Sequence, residues 1–334
     1  MRKAEWMERT EEGAWRCLLC PRGCSWTGSS GDGFCRVRGV RDGQPALPGY
    51  GRCVSLSIDP IEKKPLYHFM PGTAVLSTGP AGCNLSCEFC QNWSISQETD
   101  VPTRFVPPET LAAMALEGGS SGIAFTYTEP TIWLEYIVDT APLVRSRGGS
   151  VVMVSNGIVN PGPLEQLIEV TDAWNVDLKS WSEEFYRRLC GGERDAVLGT
   201  LKLLAASRCH LEVTFLLIPG ENDDEADWRE MTSWLASECG PRTVLHISRY
   251  FPRHKLTRPP TPVESLLHAR EVFLEKLHYV YLGNVNAPGA DTLCPSCGAL
   301  CVERSGMSAE ATGLTGSDCR ACGFDTGIIR GPHL

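Results

Sequence analysis

Gly82-Cys83-Asn84-Leu85-Ser86-Cys87-Glu88-Phe89-Cys90-Gln91-Asn92 sets three thiols with three and then two residues between them. Thiols so spaced can curl round one face of an iron–sulfur cube, because each intervening turn brings the next sulfur inward. One iron is then left without a protein ligand, and an open iron is where a small molecule can coordinate. Zinc is the rival reading. A closed zinc site wants four ligands in tetrahedral array, and the nearest fourth candidate, Asn92, is a poor one.

The loop follows an apolar run, Thr73 to Thr78, and similar runs recur at Gly122 to Thr126, Ser150 to Ser155, Ala173 to Leu178, Leu211 to Ile218 and Thr243 to Ile247. Amphipathic stretches lie between them: Pro108 to Leu116, Thr131 to Ser146, Ala196 to Ser207 and Asp224 to Glu238, three of them stopped by Gly118-Gly119, Gly148-Gly149 and Gly240. Glycine just past a helical pattern is the expected stop. Strand–helix alternation builds right-handed βαβ units and a parallel sheet. The expectation is an α/β fold, a partial (β/α)6 TIM-type barrel over residues 51–283, with chemistry at the C-terminal ends of its strands. The groups expected on that rim are Tyr127-Thr128-Glu129-Pro130, Asn156-Gly157, Asp177-Leu178-Lys179, Pro219-Gly220-Glu221-Asn222-Asp223 and His246. Upstream, Lys63, Lys64, Tyr67 and His68 are candidates for touching substrate, or solvated loop positions.

Both ends of the chain are thiol-rich. Residues 1–50 hold Cys17, Cys20, Cys24 and Cys35, which can close round zinc or a second iron–sulfur cluster and would order a segment too short to bury its own core. Residues 284–334 begin at Asn284-Val285-Asn286-Ala287-Pro288-Gly289 and hold Cys294-Pro-Ser-Cys297 and Cys319-Arg-Ala-Cys322, two knuckles that read as a zinc ribbon, rubredoxin-like iron being the alternative. With 16 Cys grouped in this way, metal is the expectation over disulfides. Cys53, Cys190, Cys209, Cys239 and Cys301 stand apart and read as small buried hydrophobes.

A net charge of −9 disfavours a broad nucleic-acid footprint. The N-terminal MRKAEWMERTEEGAW lacks the apolar centre of a secretory signal, and no stretch suits a membrane helix, so a cytoplasmic protein is expected.

The Cys83, Cys87 and Cys90 spacing, with Phe89 before the third thiol, resembles the signature of the radical S-adenosylmethionine (SAM) enzymes. That resemblance implies a [4Fe-4S] cluster on those three residues and SAM on the open iron. It also implies a one-electron donor such as flavodoxin or ferredoxin, and cleavage of SAM to a 5′-deoxyadenosyl radical in an oxidoreductase-type reaction. Phe89 is carried over with the motif as a cofactor-side residue. Thr-Glu-Pro at 128–130 looks like the motif that binds the SAM amino group, with Glu129 as partner and Thr128 offering backbone. Asn156, Asp177, Lys179 and His246 match positions that pyruvate formate-lyase activating enzymes use around SAM. Val154 stands where those enzymes carry an acid, so a cation site beside SAM is not carried over. The span from DPIEKKPLYHFMPG through LLIPGENDD to YLGNV resembles the radical SAM enzyme of the AmmeMemoRadiSam system more closely, both Cys-rich ends included. The function implied is hydrogen abstraction from an unidentified substrate, either a small molecule or a protein partner. Glycyl-radical enzyme activation and a non-catalytic zinc scaffold are the alternatives.

Overall fold

The structure is a computed structural model that describes residues 2–285 and 289–331. Asn286, Ala287 and Pro288, near the expected start of the ribbon, lie outside the described residues. An eight-stranded sheet runs in chain order: β1 (Ser57–Pro60), β2 (Ala74–Thr78), β3 (Ser120–Phe125), β4 (Ser150–Ser155), β5 (Ala173–Asp177), β6 (His210–Leu217), β7 (Val244–Arg249) and β8 (Tyr279–Gly283). β1 pairs antiparallel with β2, and every later neighbour is parallel. Six helices span the crossovers: α1 (Pro108–Met114), α2 (Leu134–Arg145), α3 (Pro161–Val170), α4 (Arg194–Ala205), α5 (Glu225–Glu238) and α6 (Val263–Leu274).

The six expected βα units are therefore present, and β8 adds a seventh parallel strand that the sequence reading left out. α3 and α6 were also missing from it. Both begin among prolines, which read as loop yet cost a helix nothing in its first turn, where the backbone N–H has no partner anyway.

Strands in chain order with right-handed crossovers put all the helices on one face. Burial follows the two-residue period of a strand. Ile123, Phe125, Val151, Met153, Trp174 and Val176 pack among the helices, whereas Ala124, Val152 and Ala173 pack on the other face against Ile61, Leu66, Phe69 and Met70. Each of the large side chains withdrawn from water is worth roughly 1.5–3 kcal/mol.

The stretch 61–72 thus fills the inside of the sheet at its N-terminal end. Glu212 on β6 pins it: its carboxylate accepts from the backbone N–H of Tyr67 (2.9 Å) and His68 (2.7 Å), and from His210 (2.9 Å) and His246 (2.6 Å). The C-terminal segment locks in beneath. Met70 N–H donates to Ile329 O at 2.6 Å, and Ile329 N–H to His68 O at 2.8 Å. Arg304 donates to Tyr67 O at 2.7 Å with its guanidinium 4.4 Å from the Tyr67 ring centre.

At the other end of the chain, two three-stranded antiparallel sheets (Met7–Arg9, Trp15–Cys17, Ser25–Trp26; and Gly31–Asp32, Gly39–Arg41, Gln44–Ala46) lie against α2. Buried Arg38 joins them to it through Glu135 at 2.6 Å.

Candidate active site at the strand ends

β2 stops at Thr78 and the chain turns through Gly79-Pro80-Ala81-Gly82 into the thiol loop. The loop is held by the π-helical turn Tyr186–Cys190: Ser86 N–H donates to Cys190 O and Glu88 N–H to Leu189 O, each at 2.9 Å. Single π turns recur at functional sites. The turn ends at Gly191 in a left-handed conformation (φ 67°), where a Cβ would lie 2.8 Å from Ser86 Oγ. A larger residue there would be strained and would push the loop away.

Each thiol has its own neighbours. Asn156 Nδ2 points at Cys83 Sγ (3.6 Å), and Leu85 N–H donates to the same sulfur at 3.4 Å. Cys90 Sγ lies 3.3 Å from Ser96 Oγ on the short helix Trp93–Ser96. Cys87 shares a hydrogen bond with Cys190, which together with burial holds its thiol well above the ordinary range. Burial, then the Glu129 and Cys87 charges, do the same for Cys83. Those protons must leave when a metal binds. Lys179 is the compensating cation. Despite burial, Asp177 and then Cys87 and Cys190 hold its ammonium well above the usual lysine range. Three convergent thiols beside N–H donors and a retained cation fit an anionic iron–sulfur cluster.

The rim residues divide on inspection. Asn156, expected beside SAM, is buried and donates to Asn84 Oδ1 at 2.9 Å as well as facing Cys83. Asp177 closes β5 and pairs with Lys179 at 2.8 Å. Lys179 is fixed through its backbone, donating to Tyr186 Oη and accepting from Asn222 Nδ2, both at 2.8 Å. Thr128 donates its hydroxyl to Pro80 O (2.7 Å), tying the β3 turn to the thiol loop. Phe89 turns inward, 4% exposed, with its ring 5.6 Å from that of Phe185.

Two placements differ from expectation. Glu129 is fully buried; Oε1 accepts from Thr131 N–H, Thr131 Oγ1 and Ser155 Oγ, and Oε2 from Asn156 N–H. These donors and its full burial commit the carboxylate to the protein's own backbone and hydroxyls. Its place is to fix the Asn156 turn. His246 is not at a strand end: β7 continues to Arg249, and the ring lies deeper, on Glu212 and edge-on to Tyr67 at 4.7 Å. The run Thr243 to Ile247 suggested a strand ending around His246, an end that the backbone does not make there.

Tyr67 and His68 sit in the same deep layer, and Lys64 is 2% exposed, bonded to Asp59 at 2.8 Å. Tyr127 Oη donates to the same carboxylate oxygen, Oδ2, at 2.8 Å, and Lys63 takes Oδ1, so Asp59 and Lys64 connect upward to the rim.

The remaining thiols form two sets. Cys294, Cys297, Cys319 and Cys322 have all four sulfurs within 4.8 Å of one another. Cys17, Cys20, Cys24 and Cys35 line one cavity together with Asn84 and Arg38.

Asn222, expected on the rim, reaches the Lys179 carbonyl, whereas Asn84, Cys190, Gly191 and Glu212 have no site role in the sequence reading. Asn84 stands inside the quoted thiol motif, and its position between two cysteines is the signal that marks it. Cys190 gave none, since its approach to Cys87 exists only in three dimensions.

A family model described as the Radical SAM superfamily matches residues 79–231. The uncharacterized protein MJ0808 of Methanocaldococcus jannaschii is 40% identical over 337 residues, covering 98% of this chain and 100% of that protein. The pyruvate formate-lyase 1-activating enzyme of Escherichia coli is 24% identical over 150 residues, which is 43% of this chain and 61% of that enzyme. A domain of pyruvate-formate lyase-activating enzyme from Bacteroides vulgatus superposes with a TM-score of 0.44 at 17% identity, over 49% of this chain and 100% of that one. The matched stretch runs from the turn after β2 into α5 and takes in the whole thiol loop with its Asn156, Asp177 and Lys179 neighbours; the chain belongs to the radical SAM superfamily.

Proposed function

We propose that this chain binds a [4Fe-4S] cluster on Cys83, Cys87 and Cys90, cleaves SAM with one electron from a flavodoxin- or ferredoxin-type donor, and abstracts hydrogen from a substrate. The observation that carries this reading is the convergence of the three thiols with Asn156 and Lys179 at the C-terminal ends of β2, β4 and β5. When bound, the cluster supplies the electron that splits the C5′–S bond of SAM. The protein's own part is to hold and shield. Asn156 orients Cys83, Glu129 holds Asn156, and Lys179, paired with Asp177, offsets negative charge beside Cys87. The Thr126–Thr128 turn, strained at Tyr127 (φ 70°) and clamped by Asn92 Nδ2 to Tyr127 O at 2.5 Å, presents backbone to the same space. Asp59 and Lys64 below it form an ion pair that Tyr127 ties to the turn.

The organisation that goes with this reading is a metal-binding segment over 1–50, the catalytic barrel over 51–283 and a zinc-binding ribbon over 284–334. Among the described residues no helix is long and apolar enough to cross a membrane, and a cytoplasmic enzyme is the reading adopted. The test is anaerobic incubation with SAM and dithionite. Formation of 5′-deoxyadenosine and methionine is expected, and its absence from iron-replete protein overturns the reading.

A second reading, activation of a glycyl-radical enzyme, is favoured by the 24% identity to the E. coli activating enzyme. Against it stand the two thiol-rich segments flanking the barrel, and the resemblance to the AmmeMemoRadiSam enzyme. Incubating reduced enzyme and SAM with a pyruvate formate-lyase-type protein distinguishes the two: a glycyl doublet by electron paramagnetic resonance, formed in step with 5′-deoxyadenosine, favours the activator.

A further inference from the structure

The ribbon and the N-terminal set each contain four thiols, yet they are built to different scales. In the ribbon, Cys294 and Cys322 sulfurs are 3.6 Å apart and Cys297 and Cys319 sulfurs 3.8 Å apart. Four thiolates about 2.3 Å from one zinc ion stand about 3.8 Å from each other by tetrahedral geometry. The ribbon fits one ion.

The N-terminal thiols do not. All four line a single cavity, none is in a disulfide, and yet no three of their sulfurs fall within 4.8 Å of one another. Nor do the sulfurs of Cys83, Cys87 and Cys90 all fall within that distance of one another. In a cubane each thiolate sits on its own iron, so the sulfurs must stand farther apart than four that share one ion.

The cavity is also dressed for a polynuclear anion. Arg38 lines it, is 1% exposed and lies beside Cys17 and Cys35; its terminal nitrogens are taken by Glu135 and Glu5 O, but its buried Nε–H has no partner. A buried donor without a partner costs about 1–3 kcal/mol, and a cluster sulfur would satisfy it. Backbone N–H groups of Val37 and Arg38 point at Cys35, and that of Arg22 at Cys20. Hydrogen bonds to cluster sulfurs are how a protein tunes such a centre.

The cavity abuts the thiol loop. Asn84 forms part of its wall and on its other side accepts from Asn156, with Cys83 Sγ 3.9 Å from its Oδ1. Gly82 has no side chain because a Cβ there would lie 2.0 Å from the Cys35 carbonyl oxygen. Arg22 reaches across, donating to Asn84 O at 3.1 Å and Gly191 O at 2.6 Å.

We propose that Cys17, Cys20, Cys24 and Cys35 hold a second iron–sulfur cluster of the four-iron class, adjacent to the Cys83 loop and in one-electron exchange with the cluster there. In that exchange one centre loses the electron the other gains, with no proton or further reactant. The site itself stands without the proposed function; only the exchange rests on that reading.

The test uses full-length chain reconstituted anaerobically with iron and sulfide. Wild type should carry about eight irons, and the Cys83→Ala/Cys87→Ala/Cys90→Ala variant, which leaves the N-terminal thiols untouched, about four. That variant should remain brown and, once reduced, give a single unbroadened paramagnetic signal, whereas reduced wild type shows two centres with mutual broadening. Adding Cys24→Ser, at a half-buried position, should remove the remaining iron. A triple variant without iron, or with a second zinc in its place, overturns the site. Retention of four irons with unbroadened signals in wild type overturns the exchange. If wild type makes no 5′-deoxyadenosine while the triple variant keeps its iron, the proposed function fails and the second site stands.

Discussion

The two ends of the sheet solve opposite problems. At its base, donors converge on one acceptor: two backbone N–H groups and two imidazoles meet the Glu212 carboxylate, and Arg304 and Ile329 of the ribbon close the layer from below. At its rim, thiols are buried with their protons on, a lysine is kept charged beside them, and Tyr127 holds a left-handed backbone that a side chain disfavours. Backbone strain and displaced ionisation cost stability and persist where the surroundings over-determine them. The base secures the fold, and that stability carries the rim.

If this division is right, rim and base substitutions should fail in different measurements. The largest effect is expected for Cys87→Ala, which removes one of three cluster thiolates and should abolish 5′-deoxyadenosine formation while shifting the thermal midpoint little. A Cys87→Ala protein that still cleaves SAM under dithionite would sink the assignment of the thiol loop.

Glu212→Ala should do the reverse. It strands two buried backbone N–H groups and two imidazoles, and removing one side of a buried ionic cluster costs about 3–5 kcal/mol. A lowered denaturant midpoint is expected, with SAM cleavage retained by the fraction that stays folded. Unchanged stability would mean that the base does not carry the fold.

Lys179→Ala is the intermediate case, since its ammonium is nearly buried yet belongs to the rim. Loss of a charge-assisted contact of about 1.5–3 kcal/mol should weaken SAM binding roughly ten- to hundredfold. A variant that binds SAM normally but melts much earlier would move Lys179 from the functional to the structural side of the comparison.

The rim was the more legible end. Cys83, Cys87, Cys90, Asn156, Asp177 and Lys179 could be found because chemistry at strand ends comes in short, polar, contiguous stretches. The base could not, because its network joins residues 67–68 to 210–212, 246, 281 and 304, distances no local pattern encodes. His246 fell between the two. Its spacing was readable, but its depth in β7 depends on where the strand stops, and the polar Ser248 and Arg249 that continue the strand look like a turn. Glu129 differs for another reason: residue type marked it as a partner for a cation, while only coordinates reveal that it is buried and bonded to Thr131, Ser155 and Asn156.

The smallest effect, and the most specific to the base, is a pH dependence from His68. Burial, with Arg304, His210 and His246 nearby and only Glu212 opposing, pushes this imidazole from 6.5 down to about 3. Tyr281 Oη lies 2.8 Å from its Nε2 and Tyr279 packs on its ring. Above pH 6.5 the ring is neutral in both folded and unfolded chain and contributes no slope. Below it the unfolded chain takes up a proton that the folded one refuses, so stability falls by about 1.4 kcal/mol per pH unit at most, until the folded ring also titrates. Glu212, held well below its usual 4.5 by burial outweighed by its two histidines, loses stability in the same direction but only once pH drops beneath that value. Between 6.5 and 4.5 His68 sets a falling slope, against which Glu62 and Glu129, whose carboxyls burial holds above 4.5, contribute in the opposite sense; the comparison of wild type with a His68 variant cancels them. His68→Gln, which can still hydrogen-bond Tyr281, should flatten the stability profile there without removing the acid limb below. His254, also held down by burial and by Lys255 but sitting beside Trp93 near the thiol loop, leaves a residual slope in the variant. An identical slope in wild type and His68→Gln would show that the base is open to water, and the contrast between the two ends of the sheet would fail with it.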